Sequence, residues 1–238
     1  MNMKKIFILT LVAAVLAHGR LAHATLIDLP TLSSGDLNMQ ITDGSPVGIT
    51  SSLTENTAPD GNNEIQSVSV TLNISGGYNG DLVGYLVLQD ANGHNATAIL
   101  LNRVGTSAGD PFGSSGSGFS VTLSDSGTAN GDIHNATGNP TGTWLADQYA
   151  GANSLNSTFG GLNANGRWTL FLADLSAGGG HSTLQNWGLN VSVVSEPVTS
   201  ALGIFASLLL TAGILRQPRA AACVAAWWRT INRWMDAV

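Results

Sequence analysis

Apolar and polar positions alternate along most of residues 25–195. Val68, Val70, Leu72 and Ile74 are separated by Ser69, Thr71 and Asn73, and Phe119, Val121 and Leu123 by Ser120 and Thr122. Trp168, Leu170 and Leu172 make a third such face, and Trp187, Leu189, Val191 and Val193 a fourth. A period of two places large side chains on one side of a strand and small polar ones on the other. Residues 82–88 are nearly all apolar and predict a strand buried on both faces. Gly, Asn, Asp and Ser collect between these runs at 75–80, 90–95, 106–118 and 177–181, where turns are expected. No helical period precedes residue 198, and no internal repeat is present. The pattern predicts one all-β domain, an antiparallel β-sandwich or jelly roll.

The two ends follow a different rule. Lys4 and Lys5 precede an apolar run at 6–17, and Ala22-His23-Ala24 supplies a small-x-small cleavage pattern. Residues 1–24 therefore predict a signal peptide cut between Ala24 and Thr25, and export by the general secretory route. Residues 25–36 are then a lead-in to the domain. A second apolar stretch at 198–215 holds no charge and no proline. At about 1.5 Å per residue it suffices for one membrane-spanning helix. Arg216 and Arg219 follow it and place that side in the cytoplasm, with the domain outside the inner membrane. In the tail at 220–238, Trp227, Trp228 and Trp234 stand beside Arg229 and Arg233. This tail reads as an interfacial amphipathic helix or as a plain extension.

Charge and cysteine sharpen the class. Only 10% of the 238 residues are charged and 29 are glycine, which excludes a coiled coil or a charge-rich disordered tail. Residues 25–195 carry thirteen acids against Arg103 and Arg167. Such a surface repels phosphate backbones, so no nucleic-acid partner is expected. The single cysteine, Cys223, lies in the tail, so no disulfide can form within the chain.

Ser195-Glu196-Pro197, the apolar stretch and Arg216-Gln217-Pro218-Arg219 resemble the PEP-CTERM sorting signal. That resemblance implies cleavage by an exosortase-type enzyme, with Glu196, Pro197, Arg216 and Arg219 as signal residues. Ser195 replaces the first proline, and 19 residues continue beyond Arg219. A plain single-span anchor is the alternative.

The domain carries a second resemblance. Gly80-Asp81-Leu82 with the strand after it, the block from Phe159-Gly160 through Gly166-Arg167-Trp168-Thr169-Leu170, and Thr183-Leu184-Gln185-Asn186-Trp187-Gly188-Leu189 resemble the P domain (P/Homo B) of proprotein convertases. Ile41-Thr42-Asp43-Gly44-Ser45-Pro46 fits the family's opening, and Ser182 replaces a glycine of its closing strand. The resemblance spans roughly 37–194 and implies a galactose-binding-like jelly roll. Trp168 and Trp187, in phase with their strands, are expected as core anchors.

Candidate chemistry is sparse. Asp43, Asp81 and Asp174 stand beside glycine-rich turns at strand ends. Converging carboxylates and loop carbonyls suit Ca²⁺, which the resemblance also implies, while capping of turn N–H groups is the alternative. Asp90-Ala91-Asn92-Gly93 reads as a hairpin turn. His94, His134 and His181 all fall in polar loops, no Gly-x-Ser-x-Gly elbow occurs, and residues 113–118 read as a flexible loop. Asp132 and His134 make only an isolated acid–imidazole pair. The chain has no room for the subtilisin-like catalytic domain that P domains accompany. The expectation is a non-enzymatic exported surface or matrix protein with a structural, adhesive or polysaccharide-binding role, with Tyr78 and Tyr149 as candidate aromatic platforms. The alternative is an accessory domain for a separately encoded secreted serine protease.

Overall fold

Cross-strand pairing begins where the alternating runs do. The computed structural model describes residues 25–60, 63–147 and 154–194. One sheet contains, in spatial order, β4 (Ser45–Glu55), β10 (Gly166–Asp174), β6 (Leu82–Asp90) and β7 (Asn95–Asn102). The other contains β11 (Ser182–Val194), β5 (Glu64–Gly76), β8 (Gly118–Ser124) and β9 (Thr141–Trp144), with β8 and β9 parallel. Three short strands, β1 (Leu26–Asp28), β2 (Leu32–Ser33) and β3 (Met39–Ile41), pair in succession along the free edge of β11. The lead-in at 25–36 is thus part of a sheet edge, which leaves less exposed ladder for other chains to pair with. The expected all-β sandwich is present, antiparallel apart from the β8–β9 pair.

Between the sheets lies the core. Leu72, Leu123, Trp187 and Leu189 enter it from one side, and Leu86, Leu88, Leu100, Trp168 and Leu170 from the other. Both tryptophans are buried as expected. The Trp168 indole donates to the Ala164 carbonyl at 3.1 Å and meets Phe159 edge-on at 5.1 Å between centroids. Trp187 does more, because its Nε1–H crosses the core to Ser51 Oγ of β4 at 2.9 Å and joins the two sheets.

Register breaks explain where simple alternation misleads. Pairing with β5 slips between Leu184 and Asn186, so Leu184 and Trp187 both face inward although they differ in parity. In β7 the slip falls at Leu100, and Leu100 and Leu101 are both buried, which hides the strand from a period-two reading. β4 was hidden for another reason: its middle is only half-buried, with Ser and Thr between Val47, Ile49 and Leu53. The strand over 82–88 departs from expectation. Leu82, Leu86 and Leu88 are fully buried, but Tyr85 and Val87 are only half-buried on the outer face. Tyr85 stacks there on Phe171 of β10 at 5.9 Å.

A five-residue helix, α1 (Leu155–Phe159), seats Phe159 under Trp168; it is too short to leave a period in the sequence. The Asp125 carboxylate accepts from the backbone N–H groups of Leu155 and Asn156 at 3.1 and 3.0 Å, fixing its first turn. Among the described residues no helix is long and apolar enough to cross a membrane. The predicted signal peptide at 1–24, the sorting segment at 195–219 with its helix at 198–215, and the tail lie outside the described residues.

The inter-sheet bond gives a direct expectation. Ser51→Ala leaves a buried indole N–H without an acceptor and is expected to cost about 1–3 kcal/mol. In a Trp187→Phe background the same change should be nearly neutral. Urea unfolding of the single and double variants checks this; additive losses would show that the bond does not couple the sheets.

Candidate functional site

Three aspartates from distant parts of the chain lie within electrostatic reach of one another at one end of the sandwich. Asp43 lies in the turn from β3 to β4, Asp81 in the 3-10 turn before β6, and Asp174 at the last position of β10. The β10–β6 register sets Asp174 opposite Leu82, next to Asp81. Asp43 accepts from Gly178 N at 3.1 and 3.2 Å, with both carboxylate oxygens. Asp174 Oδ1 accepts from Gly44 N at 3.4 Å and Ser176 N at 3.2 Å. Turn capping is therefore a real task of these side chains.

Capping does not account for everything at this end. Asp174 is fully buried, and its Oδ2 has no hydrogen-bond partner. Burial pushes the Asp174 carboxyl above the usual carboxylate range, and the Asp43 charge adds to the rise against the N–H groups of Ser176 and Gly44. Burial also pushes Asp81 up, followed by the Asp174 charge, while Arg103 works in the opposite direction. Arg103 Nη2 is 3.9 Å from Asp81 Oδ1, an ion pair without a direct hydrogen bond. The three acids thus repel one another in a partly dry place with one oxygen unused. Among the described residues no three His, Cys, Asp or Glu side chains stand close enough to hold a metal by themselves. An oxygen-seeking cation would need loop carbonyls as well, which is how Ca²⁺ is commonly bound.

Asp90 and His134 have local tasks. Asp90 closes the hairpin expected at 90–93: its Oδ1 accepts from the N–H groups of Asn92 and His94 at 2.9 and 2.7 Å. Burial would raise its carboxyl, but the bonds from the His94 ring and backbone and from Asn163 N outweigh this and hold it below the usual range. His134, expected in a polar loop, is buried. Its Nδ1 meets Asp147 Oδ2 at 2.9 Å and its Nε2 meets the Thr106 carbonyl at 2.9 Å. Two acceptors require two ring N–H groups, so this site is built for the imidazolium. Asp132, the acid paired with His134 in the sequence, accepts from the His134 backbone N–H at 2.9 Å.

The glycine- and serine-rich stretch at 113–118 departs most from expectation. It is clamped along its backbone. Gly80 N donates to Ser114 O, Ser114 N to Val104 O, and Asn79 N to Gly116 O, at 2.9, 2.8 and 2.9 Å. The fully buried Asn79 side chain accepts from Gly118 N at 2.9 Å and donates to the carbonyls of Gly118 and Gly138 at 3.2 and 2.9 Å. Tyr78 is no open platform, since it is half-buried and its hydroxyl donates to Gly113 O at 3.3 Å. Tyr149 lies outside the described residues. The exposed aromatic of this region is Phe112. Asn79, Ser114, Phe112 and Asp147 were not singled out from the sequence, where a lone Asn or Ser among many carries no signal.

No known family's sequence profile matches the chain, and no curated protein matches it. Some solved structures match it in part. The complex of the Aeromonas sobria serine protease with its chaperone ORF2 matches with a TM-score of 0.44 and 19% identity, over 76% of this chain and 29% of that one. The Aeromonas sobria serine protease crystallised separately gives 0.42 and 17%, over 75% and 29%. The VP2 subviral particle of infectious bursal disease virus gives 0.36 and 10%, over 73% and 36%. The chain spans little more than a third, at most, of the length of these proteins.

The His134 site predicts a pH dependence. Burial lowers the imidazole's proton affinity, but the bonds to Asp147 and Thr106 and the charges of Asp147 and Asp132 raise it further, so the net shift is upward from 6.5. A raised folded-state value means that the stabilisation is complete below 6.5 and is lost as pH rises through the folded value. Urea midpoints are therefore expected to fall as pH rises above 6.5 and through the folded value, and His134→Gln should flatten that slope. An unchanged slope in the variant would assign it to another group.

Proposed function

We propose that this chain is an exported, non-enzymatic surface or matrix protein built on a P-domain-like jelly roll. The leader at 1–24 carries it across the inner membrane, and the helix at 198–215 holds it there. An exosortase-type enzyme acting at 195–219 then releases it to the cell surface or the extracellular polysaccharide. Its role there is structural, adhesive or carbohydrate-binding. The observation that carries the reading is the acidic end. Three acids at one end of the sandwich, one of them with an unpartnered buried oxygen, suit a domain that takes up Ca²⁺ outside the cell with the help of turn carbonyls. Extracellular modules bind this ion at about 10⁻⁴–10⁻³ M, concentrations a cytosol does not reach. Asp43, Asp81 and Asp174 would hold the ion together with turn carbonyls. The ion would supply the cross-link that a disulfide gives other exported domains, since Cys223 has no partner within the chain.

A second reading, an accessory domain for a secreted subtilisin-like protease, draws on a different feature. Val47 and Leu175 are 81% and 45% exposed and flank the Asp174–Ser45 pairing, where a partner's apolar surface could sit.

Expression in a host that has an exosortase tests the first reading. The protein is expected at the cell surface or in the matrix, with a mass that begins at Thr25 and lacks 198–215. Arg216→Ala with Arg219→Ala should leave it in the inner membrane. Release unaffected by those changes would contradict the sorting step, and recovery in a stable complex with a secreted serine protease would favour the second reading.

A further inference from the structure

Residues 103–117 carry the chain from β7 in one sheet to β8 in the other and hold no helix or strand of their own. A connection of that length is uncommon in a compact domain and needs anchors for its backbone. Its two ends are tied to the start of β6. Arg103 N donates to Leu82 O at 2.8 Å, Arg103 Nε to Gly80 O at 3.2 Å, and Gly80 N to Ser114 O at 2.9 Å. Between them, residues 107–112 are all exposed. Their bonds close the segment on itself: Ser107 and Asp110 exchange backbone bonds, the Asp110 carboxylate accepts from Phe112 N and Gly113 N, and Arg103 Nη2 donates to Pro111 O. Gly105 and Gly113 flank this tip with φ of +82° and +73°, a backbone that glycine adopts without strain.

A clasp at Gly105 and Thr106 holds the near side of the tip to the domain. Gly105 N donates to His134 O at 2.6 Å, and His134 Nε2 donates to Thr106 O at 2.9 Å. The segment and the turn at 134–137 both line a cleft of about 400 Å³, so they do not pack flush against each other. The ring's half of the clasp depends on charge. Nδ1–H is held by Asp147 Oδ2 at 2.9 Å, a fully buried carboxylate that also accepts from Asn102 N at 2.9 Å. A neutral ring keeps that charge-assisted bond and is left with a lone pair on Nε2. Nε2 and the Thr106 carbonyl are then two acceptors facing each other at bonding distance, and they repel. The charged groups around the ring are Asp147 and, on its own turn, Asp132, which both favour the cation against the cost of burial. Asp110 lines the same cleft as a third acid, and Arg103 is directed at Gly80, Pro111 and Asp81. β7, which packs on the turn of His134, holds no titratable residue. We infer that residues 103–113 form a strap latched by His134, closed while the imidazolium donates to both Asp147 and Thr106 and released at Gly105 and Thr106 when the ring loses its proton. The two sheets stay folded when the strap opens.

Hydrogen exchange of the purified full-length protein tests it, followed by mass spectrometry between about pH 5 and 9 and corrected for the intrinsic rate of free amides. Protection at 104–107 is expected to fall by up to about ten-fold per pH unit from 6.5 to the folded value of His134, and to level off beyond it. The sign follows from linkage, since the closed strap binds the proton more tightly than the open one. At every pH, β5 and β8 should remain protected by orders of magnitude more than the strap. His134→Gln should leave 104–107 weakly protected throughout, without the fall. Asp147→Asn keeps an acceptor but not the charge, and should move the fall to lower pH. The inference is overturned by protection at 104–107 that does not change with pH in the parent, or by a fall that persists unchanged in both variants. Amides of the strap as well protected as those of β5 and β8 would also overturn it, because the strap would then open only with the whole domain.

Discussion

Long loops on a sandwich must find partners for their backbone N–H and C=O groups, and here buried polar side chains supply them. Asn79, fully buried, ties 116–118 to 138 through both ends of its amide. Asn165 does the same for Ala58, accepting from its N–H at 3.0 Å and donating to its carbonyl at 2.9 Å. Glu55, 2% exposed, closes the end of β4 on Thr57, and Asp90 closes the β6–β7 hairpin. In a chain whose one cysteine lies outside residues 25–194, these side chains and the Trp187–Ser51 bond do the cross-linking.

That arrangement gives weight to the places where it stops. Among the described residues two buried side-chain atoms lack a partner, Asp174 Oδ2 and Ser114 Oγ. One belongs to a group of three mutually repelling carboxylates and the other to the clamped stretch at 113–118. The first setting suits a cation that accepts oxygen ligands.

The strand faces could be read from the sequence because four runs keep strict alternation and two tryptophans fall in phase with them. Leu184 and Leu100 mark where the reading fails, since each sits at a register slip that changes which parity faces inward. The aspartates could be picked out because acids beside glycine-rich turns are few. Which oxygen of Asp174 is used for capping depends on where Gly44 and Ser176 fall in space, and the sequence does not encode that directly. The order of 113–118 was hidden more completely. Residues 113–118 look flexible in composition, and their order comes from Asn79, Val104 and Asn139, which are remote in sequence.

The central claim is that the acidic end is a cation seat, and thermal unfolding of the purified protein in EDTA and in millimolar Ca²⁺ tests it most directly. At 100 times its dissociation constant an ion bound only by the native state adds about 2.7 kcal/mol. That should raise the midpoint by several degrees for a domain of this size. Asp174→Asn should abolish the rise, and in EDTA it should be no less stable than the parent near neutral pH, because it relieves the repulsion with Asp43 and Asp81. A midpoint that Ca²⁺ leaves unchanged, or a rise that survives Asp174→Asn, would contradict the claim and leave the three aspartates as turn caps.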